Sequence, residues 1–471
     1  MIDAKSQFQP VLDRVLLHAL TYLENLDRSP ASASAPFQEL RARFDRPLAD
    51  SGVDAVTVID EMARDASGGV LGSAGGRFFG WVIGGSVPAA LAADWLASTW
   101  DQNAAIHACG PAVALMEEIA GKWLKDLLRL PHEASFALTT GSQIAHLTGL
   151  AAARHALLAR HDWDVERRGL AGAPQIRILS SNQRHGSIER AVRLLGLGHE
   201  NVIDLPVDVQ GHLASDTLAT ALRTNPDTLT IVILQAGDLH MGAFDSFAEL
   251  VPLAHRHGAW VHVDGAFGLW VNASPTYRHL LEGVELADSW ATDGHKWLNV
   301  PYDSGFVFVA DPKAHCDSIS HRTSYTTFVE GARDQIDWNP EWSRRARGVA
   351  VYAAIRQLGR RGIADLIDRT CQHARALVTR IGALPGTEIV WEPTINQGLV
   401  RFCSREPHAS AADHDARTDE VIANILRAGE AFFGGTTWRG MRCMRVSVCN
   451  WQTSVEDVDR AVAAVDRALT A

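Results

Sequence analysis

Four short runs carrying little charge recur between residues 175 and 310: "QIRILSS" (175–181), "TLTIVILQ" (228–235), "AWVHVD" (259–264) and "GFVFVA" (305–310). Runs this apolar and this rich in β-branched residues suit strands buried on both faces. Segments of helical period lie between them. Ile188, Ala191, Val192 and Leu195 share one face of "SIERAVRLLGLG". Phe247, Leu250, Val251 and Ala254 do the same in "FAELVPLAHRHG", where Gly258 is placed to stop the helix. Strands alternating with helices require crossover connections. The expected fold class is therefore α/β: a mainly parallel sheet covered by helices on both faces. In such sheets ligands bind beyond the carboxyl ends of the strands, so the residues after each run are the ones to inspect.

Four positions stand at such ends. "TTGSQIAHLTGL" (139–150) sets Gly141, Ser142 and Gln143 at the start of a helix, where free N–H groups favour an anion such as phosphate. A Gly-Ser turn is equally an ordinary helix cap. His185, in "NQRHGSIER", is either a flat ring able to stack on another or a solvated loop histidine. Asp264 closes "VHVD" before Gly265 and Ala266. A carboxylate there needs a cation or an N–H partner, or else caps the turn. His262 lies two residues earlier and shares its strand face. Lys296, in "WATDGHKWLN" (290–299), lies among small and aromatic residues. An amine in such surroundings loses hydration and gains nucleophilicity, unless the side chain snorkels out of the turn. One ligand satisfies all four positions: pyridoxal phosphate has a phosphate, an aromatic ring, a basic ring nitrogen and an amine-reactive aldehyde.

A formal net charge of −11 argues against a general nucleic-acid binder. No window approaches about 18 uninterrupted apolar residues, so no membrane span is expected. Six cysteines without a C-x-x-C pair, and an N-terminus lacking a signal-type apolar core, make a cytoplasmic location the default. "LDRSPASASAP" (26–36) reads as a linker after a first helix. Beyond about residue 370, strand-like "LVRFCS" (399–404) and "RCMRVSVCN" (442–450) alternate with amphipathic "DEVIANILRAG" and "VEDVDRAVAAVDRAL", which suits a small α+β lobe.

The segment "HVDGAFGLW…DSWATDGHKWLNVPYDSGFVFV", with its D-x-H-K motif and the flanking Pro301, Ser304 and Gly305, resembles the pyridoxal-phosphate-dependent group II amino acid decarboxylases. The likeness runs from about residue 77 to 458. It implies the aspartate-aminotransferase fold: an N-terminal helical segment (1–95), a large cofactor domain with a seven-stranded-type sheet (96–370) and a small C-terminal domain (371–471). It also implies a homodimer and a small amino acid substrate. By resemblance, Lys296 matches the lysine that takes the cofactor's aldehyde and Asp264 the partner of its ring nitrogen. Ala266 matches the small residue under the ring, His185 the stacking histidine and His295 the residue beside the phosphate. Gly141, Ser142 and Gln143 occupy the phosphate loop. Tyr325 stands where family members keep a loop tyrosine, and Arg445 where some hold the substrate carboxylate. Phe79 and Trp81 are pocket candidates, and Trp438 is another.

Two departures stand out. The loop usually written G-G-[ST]-E-[AS]-N here reads Gly141-Ser142-Gln143-Ile144-Ala145-His146, and Asp238, a candidate cofactor contact, stands where a threonine of the usual G-T-T turn is expected. The implied reaction is decarboxylation of an L-amino acid to an amine and carbon dioxide. Carbon–carbon lyase chemistry, aldehyde synthesis and transamination on the same cofactor stay open. A metal site at His255, His257, His262 and Asp264 is disfavoured, because helix positions two apart face different ways.

Overall fold

The computed structural model describes residues 7–324 and 327–470. Among these, seven strands form the large sheet: β1 (Ser135–Thr139), β2 (Ile176–Ser181), β3 (Val202–Leu205), β4 (Leu229–Gln235), β5 (Trp260–Asp264), β6 (Ser289–Asp293) and β7 (Gly305–Val309). Their order is β1-β7-β6-β5-β4-β2-β3. The pairs from β6 through β3 are parallel, and β7 runs antiparallel to both of its neighbours. All the residues of β2, β5 and β7 are buried, as their apolar composition requires. Close packing at one end of the sheet demands glycine: a Cβ on Gly305 would lie 2.3 Å from the Cα of Gly141.

The second sheet is antiparallel, in the order β10-β11-β9-β8, built from β8 (Thr387–Trp391), β9 (Gln397–Phe402), β10 (Gly434–Trp438) and β11 (Met441–Ser447). Helices Ala411–Ala428 and Val455–Thr470 share its apolar core. A long helix, Gly348–Gly382, joins the two layers and breaks its helical path at Gly359. Residue 370 falls inside this helix and residue 95 inside the helix Pro88–Trp100, so neither sequence-drawn boundary coincides with a loop.

Three helices, Phe8–Asn25, Phe37–Phe44 and Ala55–Asp65, form the N-terminal segment. The first two bury no residue. The stretch expected to be a linker is instead pinned to the small domain. Ala31 N–H donates to Gly429 O at 2.8 Å, and the Ser32 hydroxyl donates to Leu426 O at 2.5 Å. No helix among the described residues is long and apolar enough to cross a membrane.

Candidate active site

Strands β5 and β6 are parallel neighbours, with Asp264 opposite Ala291. Their carboxyl ends bring Asp264 and Asp293 to the start of helix Ser142–Ala159. Asp293 Oδ1 accepts the Ser142 N–H at 2.6 Å, and Oδ2 lies 3.0 Å from Lys296 Nζ. Burial pushes the Asp293 carboxyl up. Lys296, His295 and Ser142 outweigh that and hold it below the usual carboxylate range. The surroundings of Lys296 are thus ionic rather than aromatic. Trp297 turns into the core and donates through Nε1 to Thr370, while the Phe267 ring centroid stands 6.0 Å from the amine.

Asp264 Oδ1 accepts the N–H of Ala266 at 3.2 Å, and the Ala266 carbonyl accepts the N–H of Asp293 at 2.9 Å. The small residue thereby lies between the two carboxylates. His295 accepts the Ser304 N–H at 3.2 Å through Nδ1, stacks on Tyr302 at 4.3 Å, and sets Nε2 3.6 Å from Asp293. Gln143 donates to the Ser187 carbonyl at 3.2 Å, tying the helix start to the turn that carries His185. That histidine caps helix Gly186–Leu194, its Nδ1 accepting the Ser187 N–H. His185 is exposed, yet the protein around it withholds enough water to lower its ring below the usual range. The charges it feels are those of Asp264, Lys296, Asp293 and Arg445.

Arg445, on β11, reaches the same region from the small domain. It is 8% exposed, and its Nη2 has no hydrogen-bond partner. Burial lowers its guanidinium to about 10, against the pull of Asp238.

Three expectations need correction. Asp238 is not free for a cofactor. Its carboxylate accepts from His240, Met241 and Ala243 N–H at 2.8, 3.2 and 2.7 Å, closing its own turn. Phe79 is not in a pocket. It is fully buried in the small-domain core, stacked on Phe433 at 5.2 Å, because its N–H pairs with the Phe432 carbonyl and draws the segment in. Trp438 likewise packs into a core cluster with Met241 and Cys443. Trp81 stays half exposed beside Phe78 and Phe432. Tyr325 lies outside the described residues. Of the histidines once weighed as metal ligands, His255 pairs with Asp288 at 2.9 Å near the surface, while His262 points inward. No group of three or more metal-type ligands assembles among the described residues.

The profile of the pyridoxal-dependent decarboxylase conserved domain matches residues 38–405. The chain belongs to this decarboxylase family. It is 25% identical over 446 residues to the aromatic-L-amino-acid decarboxylase of Bacillus atrophaeus, a match covering 93% of this chain and 90% of that protein. It is 33% identical over 302 residues to the aspartate 1-decarboxylase of Aliivibrio fischeri, covering 61% and 54%. The crystal structure of Oryza sativa TDC with PLP and tryptamine superposes with a TM-score of 0.92 at 22% identity, over 100% of this chain and 98% of that one. Mouse CSAD gives 0.90 at 22%, covering 98% of each. These structures share the fold. This decarboxylase is thus a pyridoxal-phosphate-dependent lyase that removes carbon dioxide from an amino acid.

The donors present suit that cofactor. The Ser142 hydroxyl is buried without a partner beside a helix start, an amine stands nearby, and a buried carboxylate faces the same space. Sequence reasoning missed two residues. Asp293 lies inside the quoted D-x-H-K motif, and its spacing of three from Lys296 was the available signal. His146 lies four residues past Ser142 in a helix already singled out.

Proposed function

We propose that this decarboxylase holds pyridoxal phosphate between Lys296 and Asp264 and turns an L-amino acid into its amine. The observation that carries the assignment is the convergence of the Lys296 amine, the Asp264 carboxylate and the unpartnered Ser142 hydroxyl on one helix start. Lys296 would take the aldehyde, and Asp264 would hold a proton on the ring nitrogen. Ala266 would leave room beneath the ring, and His185 would cover it. Gly141, Ser142, Gln143 and His295 would hold the phosphate. When bound, the cofactor supplies an electron sink for the pair left as the Cα–carboxylate bond breaks. Asp293 keeps the Lys296 amine in place by its ion pair. The Lys296 amine or the Tyr325 phenol would then return a proton to Cα. Arg445, a buried cation with a donor to spare, would meet a carboxylate of the substrate. Trp81 keeps an open face for the side chain.

In this reading residues 1–95 assemble the molecule, 96–370 bind the cofactor and 371–471 supply Arg445. A homodimer is supported by the apolar side chains that the first helix leaves exposed, Leu12, Leu16, Leu17 and Leu20 among them. A reducing, cytoplasmic setting suits the six free thiols. The test is product analysis: purified holoenzyme with a panel of L-amino acids yields the amine and carbon dioxide in equal amounts. An aldehyde or a keto acid as the main product would overturn the assignment.

A further inference from the structure

Behind Asp264 lies a line of polar side chains that neither the motif nor the mechanism uses. Trp260, His262 and Asp264 alternate along β5 and so share one face. The parallel register sets Ser289 of β6 opposite His262. Helix Ser142–Ala159 covers that face and lowers His146 onto it. One turn on, at Gly149, a Cβ would stand 2.9 Å from His262 Cε1, so glycine makes the room that the imidazole fills. His146 Nδ1 lies 2.9 Å from His262 Nε2, His262 Nδ1 lies 2.8 Å from Ser289 Oγ, and Trp260 Nε1 donates to Ser289 Oγ at 2.9 Å. At the other end His146 Nε2 stands 3.5 Å from Asp264 Oδ1 and has no hydrogen-bond partner. His146, His262 and Ser289 are all fully buried.

Only one arrangement of protons satisfies this line when Asp264 is an anion. The His146 nitrogen facing the carboxylate must carry hydrogen, because a lone pair there would repel it. Burial keeps both imidazoles neutral, and it drives His262 well below the usual histidine range. Neutral His146 therefore presents a bare Nδ1 and accepts from His262 Nε2–H. Neutral His262 presents a bare Nδ1 and accepts from the Ser289 hydroxyl, which itself accepts from Trp260. We propose that His146, through this one-way chain from Trp260, Ser289 and His262, is a positioning residue that aims an N–H at Asp264 and fixes it as the anionic partner of the cofactor's ring nitrogen. The proposal rests on the assignment of Asp264 made above. The 3.5 Å separation at Nε2 is a charge–dipole contact rather than a formed hydrogen bond.

Besides Asp264 and His262, the titratable groups bearing on His146 are Asp293 and Lys296 from β6 and its turn, and His185 from the facing loop. The first test uses the unaltered chain without cofactor. Histidine ¹⁵N spectra at neutral pH should show both His146 and His262 protonated at Nε2 and bare at Nδ1. A proton on Nδ1 of His146 would overturn the proposal whether or not any variant folds. The second test loads the enzyme with pyridoxal phosphate carrying ¹⁵N at the ring nitrogen and follows protonation of that atom against pH. His146→Leu should lower the midpoint by about one pH unit, a tenfold change in the equilibrium. His146→Gln, which keeps an N–H donor at the end of the side chain, should recover most of it. A midpoint that moves in Asp264→Asn and not in His146→Leu defeats the chain and spares the assignment of Asp264. A midpoint unmoved in Asp264→Asn defeats that assignment as well.

Discussion

The floor of the site and the first N-terminal helix depart from the usual partition of side chains in opposite directions. Around β5 and β6, two carboxylates, two imidazoles and a hydroxyl are almost completely removed from water. Along Phe8–Asn25, Leu12, Leu16, Leu17 and Leu20 stand roughly half exposed, and Phe8 more so. Buried polar groups persist where partners compensate their lost hydration, and here the partners come from the same chain: Ser142, Ala266, His146 and Lys296. Exposed apolar faces persist where another surface covers them. The first region carries the candidate site, and the second carries the face proposed for a homodimer. Damage to each should therefore show up in different measurements.

The largest expected effect separates the two regions outright. Lys296→Ala should cut amine formation by about 10⁴-fold or more while light scattering reports an unchanged assembly. Residual activity near wild type would remove Lys296 from the chemistry. The converse tests the proposed homodimer: a Leu16→Glu, Leu20→Glu double variant should halve the mass in solution and leave the strands of both sheets intact by circular dichroism. A dimer that survives both charges would move the interface elsewhere. Phe79→Ala sharpens the contrast between core and pocket. It should cost about 3–5 kcal/mol of stability, seen as a lowered Tm, with KM unchanged. A raised KM at unchanged Tm would return Phe79 to the substrate. Tyr325→Phe should lower amine formation by about 10²-fold with cofactor absorbance unchanged, and full amine yield would end its role as proton donor.

The gentlest effect is on pH. Buried His146, His262 and His315 have depressed values in the folded chain, His315 down to about 3, while unfolded histidines take a proton near 6.5. Below that pH the unfolded chain binds more protons. The stability these residues lend is thus complete above 6.5 and drains away as the pH falls toward 3. A melting temperature that stays level from pH 7 to 4 would contradict this account.

Much of the sheet was legible because its central strands are unusually apolar. The runs at β2, β4, β5 and β7 stand out by composition, and the rule that ligands sit past strand ends leads directly to Asp264 and His185. β6, "SWATD", stands out by no apolar run, although Lys296 marks a strand end there, because Ser289, Thr292 and Asp293 are polar yet fully buried, each serving a neighbour rather than solvent. β3, "VIDL", escaped because it is a short edge strand, partly open to water. Phe79 looked like a pocket residue since nothing local reveals that Phe78 pairs with Phe432 more than 350 positions away. Asp238 read as a ligand because a turn that consumes its own carboxylate is visible only once the backbone is placed.

Taken alone, the amino-acid order determined the alternation of strand and helix and the residues delivered at each strand end, since both follow from periodicities of two and 3.6 that span a few neighbours. Which polar atom meets which was decided by tertiary structure. His146 and His262 are 116 residues apart, and their bond exists because strand register sets Ser289 beside His262 while packing of a whole helix lowers His146 onto them. Distances of that kind depend on how the entire core closes, and no local pattern carries them.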